Sequence, residues 1–249
     1  MQHHAGKKLN EKQTVIAMIK IYANHRFLKI NRNLYKNADH MNYPEIAFTK
    51  EVKTLQEKFG SRAAYARMVH SRTTDGLSEG EIDFIMGQDH FYLSTISESG
   101  YPYIQFRGGP KGFLKVIDQT TLGFIDFEGN KQYISTGNIK TNNKAALFFL
   151  DQASQTRLKM FAEVEVVSLA DRPSLFEKLS LADYQYKPKF IMLFKVQGYD
   201  WNCPQHITPR YTQEEIQAAF KGHLEESERL KEANERLSRE IAKLKASNG

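Results

Sequence analysis

HFYLSTISESGYPYIQFRGGPKGFLKVIDQTTLGFIDF, residues 90–127, decides the fold. HFYLSTIS, YPYIQFR, FLKVID and TLGFIDF are short β-rich runs of alternating character, and the turns ESG and QT separate them. One link differs from a plain turn. Between Arg107 and Phe113 the chain reads GGPKG, with Arg107, Lys111 and Lys115 threaded through and around the break. Glycine at such a point lets the backbone take unusual dihedrals and lets another group come close.

Working outward, AALFFLD, RLKMFAEVEVVSL and FIMLFKVQGYD continue the strand pattern, with a helical insertion around LFEKLSLADY. Close strand spacing with hairpin-length links predicts an antiparallel barrel or sandwich rather than a doubly wound sheet. Upstream, residues 49–69 read as helix broken at Gly60 and restarted at Ser61, and SEGEIDFIM places Ser78 and Glu81 at capping-box spacing. Further back, EKQTVIAMIKIYANHRF carries Val15, Met18, Ile19 and Tyr22 at helical spacing. The expected division is an N-terminal helical extension at 1–45, a β domain at 46–211 and a C-terminal amphipathic helix at 212–249.

That last segment steps by fours and threes through Ile216, Phe220, His223, Ser227, Leu230, Asn234, Leu237, Ile241 and Leu244, the a/d period of a coiled coil. Its competing reading is a lone amphipathic helix packed on its own domain, or a frayed solvated tail.

Composition narrows the function. The 249 residues are 41% hydrophobic and 12% aromatic, which suits a globular chain with a real core. No apolar run approaches the roughly 20 residues a bilayer requires, and a single cysteine, Cys203, makes neither an internal disulfide nor a thiolate metal site, so a cytoplasmic, non-membrane protein without a metal is the expectation. The formal charge is +6, but lysine and arginine are spread along the chain beside glutamate, which argues against a nucleic-acid patch. Cys203 and His206, three apart across a proline, read as packing residues rather than a nucleophile and its base.

Two phosphate loops fail on spelling. GGPKGF lacks the GK[ST] ending of a nucleotide P-loop, and it lacks the GxGxxG spacing and following helix of a dinucleotide fold. A barrel corner with a bulge and an approach surface for a flat or anionic ligand both stay open. After the next strand, FEGNKQYISTGN supplies a second glycine-bearing turn, with Lys131 where a helix begins, and a helix N-terminus beside a lysine is an anion site.

FYLSTISESGYPYIQFRGGPKGFLKVID, TLGFIDFEGNKQYISTGNI, AALFFLD and RLKMFAEVEVV together resemble the pyridoxamine 5′-phosphate oxidase family of FMN-binding split barrels, in its branch spelled RGGPxGFLKV. The resemblance implies a mainly β, α+β protein built on a six-stranded split barrel, a homodimer, and one FMN in each of two clefts between subunits. It implies contacts to the flavin from Arg107, Gly108 and Gly109, with Lys111 or Lys115 facing the phosphate or substrate. Asn130, Lys131 and Gln132 fall at the turn that grips the FMN phosphate, and Trp201 and Arg210 fall where the family reaches across the dimer. The implied activity is an FMN-dependent oxidoreductase acting on a small-molecule substrate, with NAD(P)H or an amine as electron donor. The alternative is a flavin-binding sensor, store or interaction module without turnover.

Overall fold

The computed structural model describes residues 41–71, 73–202 and 205–247, so the N-terminal helical pattern and Cys203 lie outside the described residues. A two-residue strand β1 (Met41–Asn42) pairs antiparallel with β2 (Thr73–Thr74). Helices α1 (Tyr43–Ala47), α2 (Lys50–Lys58) and α3 (Arg62–Ser71) lie between them. The break foreseen at Gly60 is present: Gly60 has φ 74 and the Ser61 amide donates back to the Gln56 carbonyl, which ends α2. Helix α4 (Glu79–Met86) starts at Ser78. Glu81 Oε2 accepts from the Ser78 backbone N–H at 3.0 Å and from its hydroxyl.

The seven β-rich runs all become strands of one sheet, one more than the six that the resemblance implies. They are β3 (His90–Ile96), β4 (Pro102–Gly108), β5 (Lys115–Asp118), β6 (Thr121–Phe127), β7 (Lys144–Asp151), β8 (Thr156–Val167) and β9 (Pro188–Asn202). Helices α5 (Ile134–Thr141) and α6 (Pro173–Leu179) are inserted between strands, and α7 (Gln213–Ser247) ends the chain. The sheet order is β4-β3-β7-β8-β9-β6-β5, so the consecutive strands β4 and β5 form opposite edges.

That order forces the sheet to curl. Laid flat, six spacings of about 4.8 Å would separate β4 from β5 by about 29 Å. The link from Gly108 to Lys115 spans at most about 25 Å when fully stretched, and it contains a turn. Curling brings Arg107 of β4 into contact with Asp126 of β6, strands that lie far apart in the sheet order. Here the glycine break is the link that joins the two edges of the curled sheet.

The alternation foreseen in the sequence is what fills the interior. On β3, Phe91, Leu93 and Thr95 are fully buried while Tyr92, Ser94 and Ile96 turn outward. Phe91 sits at the centre, its ring 5.6–6.1 Å from those of Phe113, Phe124, Phe149 and Phe194. A second core cluster, Ile125, Val167, Leu179, Ile191 and Leu193, lies beneath α6.

Candidate functional site

Register carries the site out of the core pattern. His90 to Ile96 pair antiparallel with Gly108 to Pro102, so Phe91, Leu93 and Thr95 stand opposite Arg107, Gln105 and Tyr103. Partners directly opposite share a face, and β4 therefore turns these three polar side chains toward the inside of the curl. There they line a cavity of about 200 Å³, together with Asp126 and Phe127 from the end of β6, the turn from Glu128 to Tyr133, the first residues of α5, and Lys189 of β9.

Arg107 is the structural hinge of this wall. Its Nη1 lies 2.5 Å from Asp126 Oδ1, the two side chains being 13% and 12% exposed. Its guanidinium also stands 6.0 Å from the Phe124 ring centre. Burial raises the Asp126 pKa, and the neighbouring Arg107 charge and hydrogen bond only partly offset that rise. Arg107 Nε is buried with no acceptor among the described residues. A buried donor left without an acceptor costs about 1–3 kcal/mol, so this nitrogen could take an acceptor from a ligand.

The opposite wall is a turn with two left-handed residues. Lys131 has φ 62 and Tyr133 φ 55, both non-glycine. Such conformations cost about 1–2 kcal/mol each and gather at ligand sites, where the surrounding structure holds them in place. The turn is braced by Asn130, whose Oδ1 accepts from the Gln132 amide at 3.1 Å. Lys131 Nζ reaches Glu128 Oε1 at 2.8 Å, and the pairing raises the lysine pKa and lowers that of the glutamate.

Helix α5 opens directly onto the cavity. Its N-cap is the left-handed Tyr133, which makes no side-chain cap bond, and its first turn carries no acidic residue. The first intrahelical bond runs from the Gly137 amide to the Tyr133 carbonyl, so the amides of Ile134, Ser135 and Thr136 have no partner within the helix. The helix is pinned in place by two side-chain bonds: Ser135 Oγ donates to Gln105 Oε1 at 2.8 Å, and Asn138 Nδ2 donates to Thr95 Oγ1 at 3.0 Å. The first-turn amides, the positive helix end and the cations Arg107, Lys131 and Lys189, the first two paired with Asp126 and Glu128, are groups that could hold an anion with a polar neighbour.

Of the residues singled out in the sequence, the cavity gathers Arg107, Asn130, Lys131 and Gln132. Others lie elsewhere. Gly108, Gly109 and Lys111 are not among its lining residues. The Gly109 and Gly112 amides donate to the carbonyls of Asp89 and Gln88, at 2.9 and 3.2 Å. Gly109 is glycine because a Cβ there would stand 2.7 Å from Phe113 Cγ, and Gly112 because its φ is 77. The break thus anchors β4 to the loop after α4. Lys115, expected to face a phosphate, points its Nζ at the carbonyls of Lys178 and Ser180, at 3.0 and 2.9 Å, and burial lowers its pKa. It holds the C-terminal end of α6 against β5.

Trp201 donates its indole N–H to Glu81 Oε1 at 2.6 Å and packs edge-on against Phe84, which ties β9 to α4 within one chain. Arg210 is exposed in the stretch before α7, as is His206. The sequence reading missed Tyr103, Gln105, Asp126, Ser135, Thr136 and Lys189. For Gln105 and Tyr103 a signal existed, since a two-residue period counted back from Arg107 puts both on its face.

Among the described residues no helix is long and apolar enough to cross a membrane. No curated protein matches the chain. Among solved structures it is similar to an FMN-binding protein from Syntrophomonas wolfei, with 13% identity, TM-score 0.40, and coverage of 59% of this chain and 97% of the other. It is similar to HupZ of Group A Streptococcus, with 14% identity, TM-score 0.39, and coverage of 54% and 100%. A Clostridium acetobutylicum protein related to general stress protein 26 of B. subtilis, of the pyridoxinephosphate oxidase family, has 17% identity, TM-score 0.39, and coverage of 55% and 94%. These likenesses are too distant to transfer any property to this chain. Residues 81–193 match the family model described as pyridoxamine 5′-phosphate oxidase. That stretch runs from α4 through all of β3–β8 into β9 and takes in the whole cavity wall, and over it the chain is similar to the pyridoxamine 5′-phosphate oxidase family.

Proposed function

We propose that this protein binds FMN in the cavity between β4 and α5 and serves as an FMN-dependent oxidoreductase, with the flavin held between two copies of the chain. The observation that carries the reading is Arg107: its buried Nε lacks an acceptor, across the cavity from an uncapped helix N-terminus beside Lys131. A flavin with a phosphate tail fits this donor set at both ends. Its phosphate matches the α5 amides and Lys131, and a ring or ribityl acceptor matches Arg107.

Cavity size supports a partner. About 200 Å³ is below the about 300–1,000 Å³ of small-molecule sites, so one chain supplies part of a wall. The outer face of β3 and β4 carries Tyr92, Ile96, Ile104 and Phe106 side by side, with Ile104 66% and Phe106 59% exposed. An apolar patch of this kind marks an association surface. It lies on the strand whose other face bears Arg107, so a second copy docked there would stand next to the cavity.

When bound, FMN would supply the electron and hydride transfer. The chain's own residues bind and orient. The ion pair with Asp126 fixes the Arg107 guanidinium, whose charge favours negative charge on whatever lies beside it. Lys131 and the α5 amides hold the anionic tail. Burial makes Asp126 the one carboxylate on the wall that retains a proton more readily than usual. The substrate is a small molecule, with NAD(P)H or an amine as donor.

Anaerobic addition of NADPH or NADH to the FMN-loaded protein should bleach the flavin, and admission of air should restore it. A flavin that stays oxidised with these donors and with amines would leave the sensor, store or interaction-module reading. The long exposed α7, which a minimal oxidoreductase does not need, favours that second reading.

A further inference from the structure

Helix α7 runs 35 residues from Gln213 to Ser247, a rod of about 52 Å. Leu230, Leu237 and Ile241 remain 56%, 54% and 52% exposed along one stripe. Helices of this kind depend on burying their apolar stripe against another surface. The heptad puts Ser227, Asn234 and Ile241 at a, and Leu230, Leu237 and Leu244 at d. Glu226 and Glu240 then fall at g, and Lys231 and Lys245 at e. The b, c and f positions of the same stretch are almost all charged, among them Glu225, Glu228, Arg229, Glu232, Glu235 and Arg236.

We propose that α7 forms a parallel, two-stranded, in-register coiled coil with α7 of a second copy of this chain, joined along Leu230, Asn234, Leu237 and Ile241. Charge selects both partner and direction. In a parallel pair each g residue faces the e residue of the next heptad on the other strand, so Glu226 meets Lys231 and Glu240 meets Lys245. In an antiparallel pair g faces g and e faces e, which sets glutamate against glutamate and lysine against lysine. Asn234 at an a position adds a side-chain amide pair that is satisfied only when the two strands are in register, and a single buried asparagine there specifies two strands. Among the described residues Glu226 makes a 3.3 Å contact to Arg229, which is 80% exposed, and pairs of that kind contribute little.

The proposal stands independently of the flavin and is tested without it. In the full chain carrying Cys203→Ser, Leu237→Cys puts a thiol at d, and Arg239→Cys puts one at f on the outer surface. Under mild oxidation the Leu237→Cys chain should convert mostly to covalent dimer, at least about tenfold faster than Arg239→Cys, because in-register a and d residues, unlike those at f, bring two Cα atoms within disulfide reach. A dimer formed through the barrel would raise both rates together, so the ratio reads the coil alone. Asn234→Cys at a repeats the measurement should Leu237→Cys fold poorly. Equal rates at d and f, or no cross-link at either Leu237 or Asn234, would overturn the proposal. That is the result expected if residues 1–40, the barrel, another protein or an antiparallel partner covers the stripe.

Discussion

Replacing Arg107 with glutamine separates its two roles. In the native chain its Nη1 lies 2.5 Å from Asp126 Oδ1, with both side chains seven-eighths buried. Breaking a fully buried pair by removing one partner costs about 3–5 kcal/mol, because the other charge is left uncompensated. Slight solvent access and the ability of Asp126 to take up a proton bring the expected loss to about 2–3 kcal/mol at pH 7.5. The sign with pH follows from that proton. Burial already raises the Asp126 pKa, and losing the arginine raises it further. An acid with a raised folded pKa contributes fully below its unfolded value of about 3.9 and loses that contribution as pH rises through the folded value. Urea unfolding should therefore show a small deficit at pH 4.5 and the full deficit at pH 7.5. The double variant Arg107→Gln/Asp126→Asn removes both charges and should return to within about 1 kcal/mol of the parent, with the extra pH dependence gone. FMN affinity should fall about tenfold or more in both variants, since each lacks the charged donor. A single variant as stable as the parent at pH 7.5 would refute the energetics. Parental FMN affinity in the double variant would refute the placement of the ligand.

Three further perturbations read other parts of the molecule. Lys131→Ala should weaken FMN binding several-fold in a fluorescence titration and leave riboflavin binding unchanged, and equal effects on both would remove Lys131 from the phosphate. Gly109→Ala should cost about 1–3 kcal/mol in urea, since its Cβ would meet the Phe113 ring at 2.7 Å, and a neutral substitution would show that the link can move. At Glu81 burial raises the carboxyl pKa, but hydrogen bonds from Ser78 and Trp201 outweigh burial and leave it lowered. Its contribution is present above an unfolded value of about 4.3 and is lost as pH falls through the folded one. Glu81→Gln should cost about 1–2 kcal/mol at pH 7, with the deficit shrinking toward pH 3, and an unchanged deficit at acid pH would contradict this.

The strands were legible because their signal is local: a two-residue period and turn residues place all seven runs without knowledge of their neighbours. The capping box at Ser78 and Glu81 and the heptads of α7 are legible for the same reason. The helix-opening turn at Lys131 could also be read, since glycine, asparagine and lysine before a helix state their own chemistry. What glycine does not state is which atom approaches it. Gly109 makes room for Phe113, four residues on, and the same spelling would serve a ligand equally well. Lys115 shows the converse limit, since its acceptors, Lys178 and Ser180, are distant in sequence and become neighbours only when α6 covers the sheet. Asp126 and Lys189 reach the cavity through the curl and the pairing of β6 with β9, which no short stretch encodes.

The most direct measurement compares FMN with riboflavin on the purified full chain by absorption and fluorescence titration. One FMN should bind per chain, with riboflavin bound at least about 100-fold more weakly, because two or more charge-assisted bonds to the phosphate are lost. Equal affinity for the two flavins, or a chain that takes up neither, would contradict this.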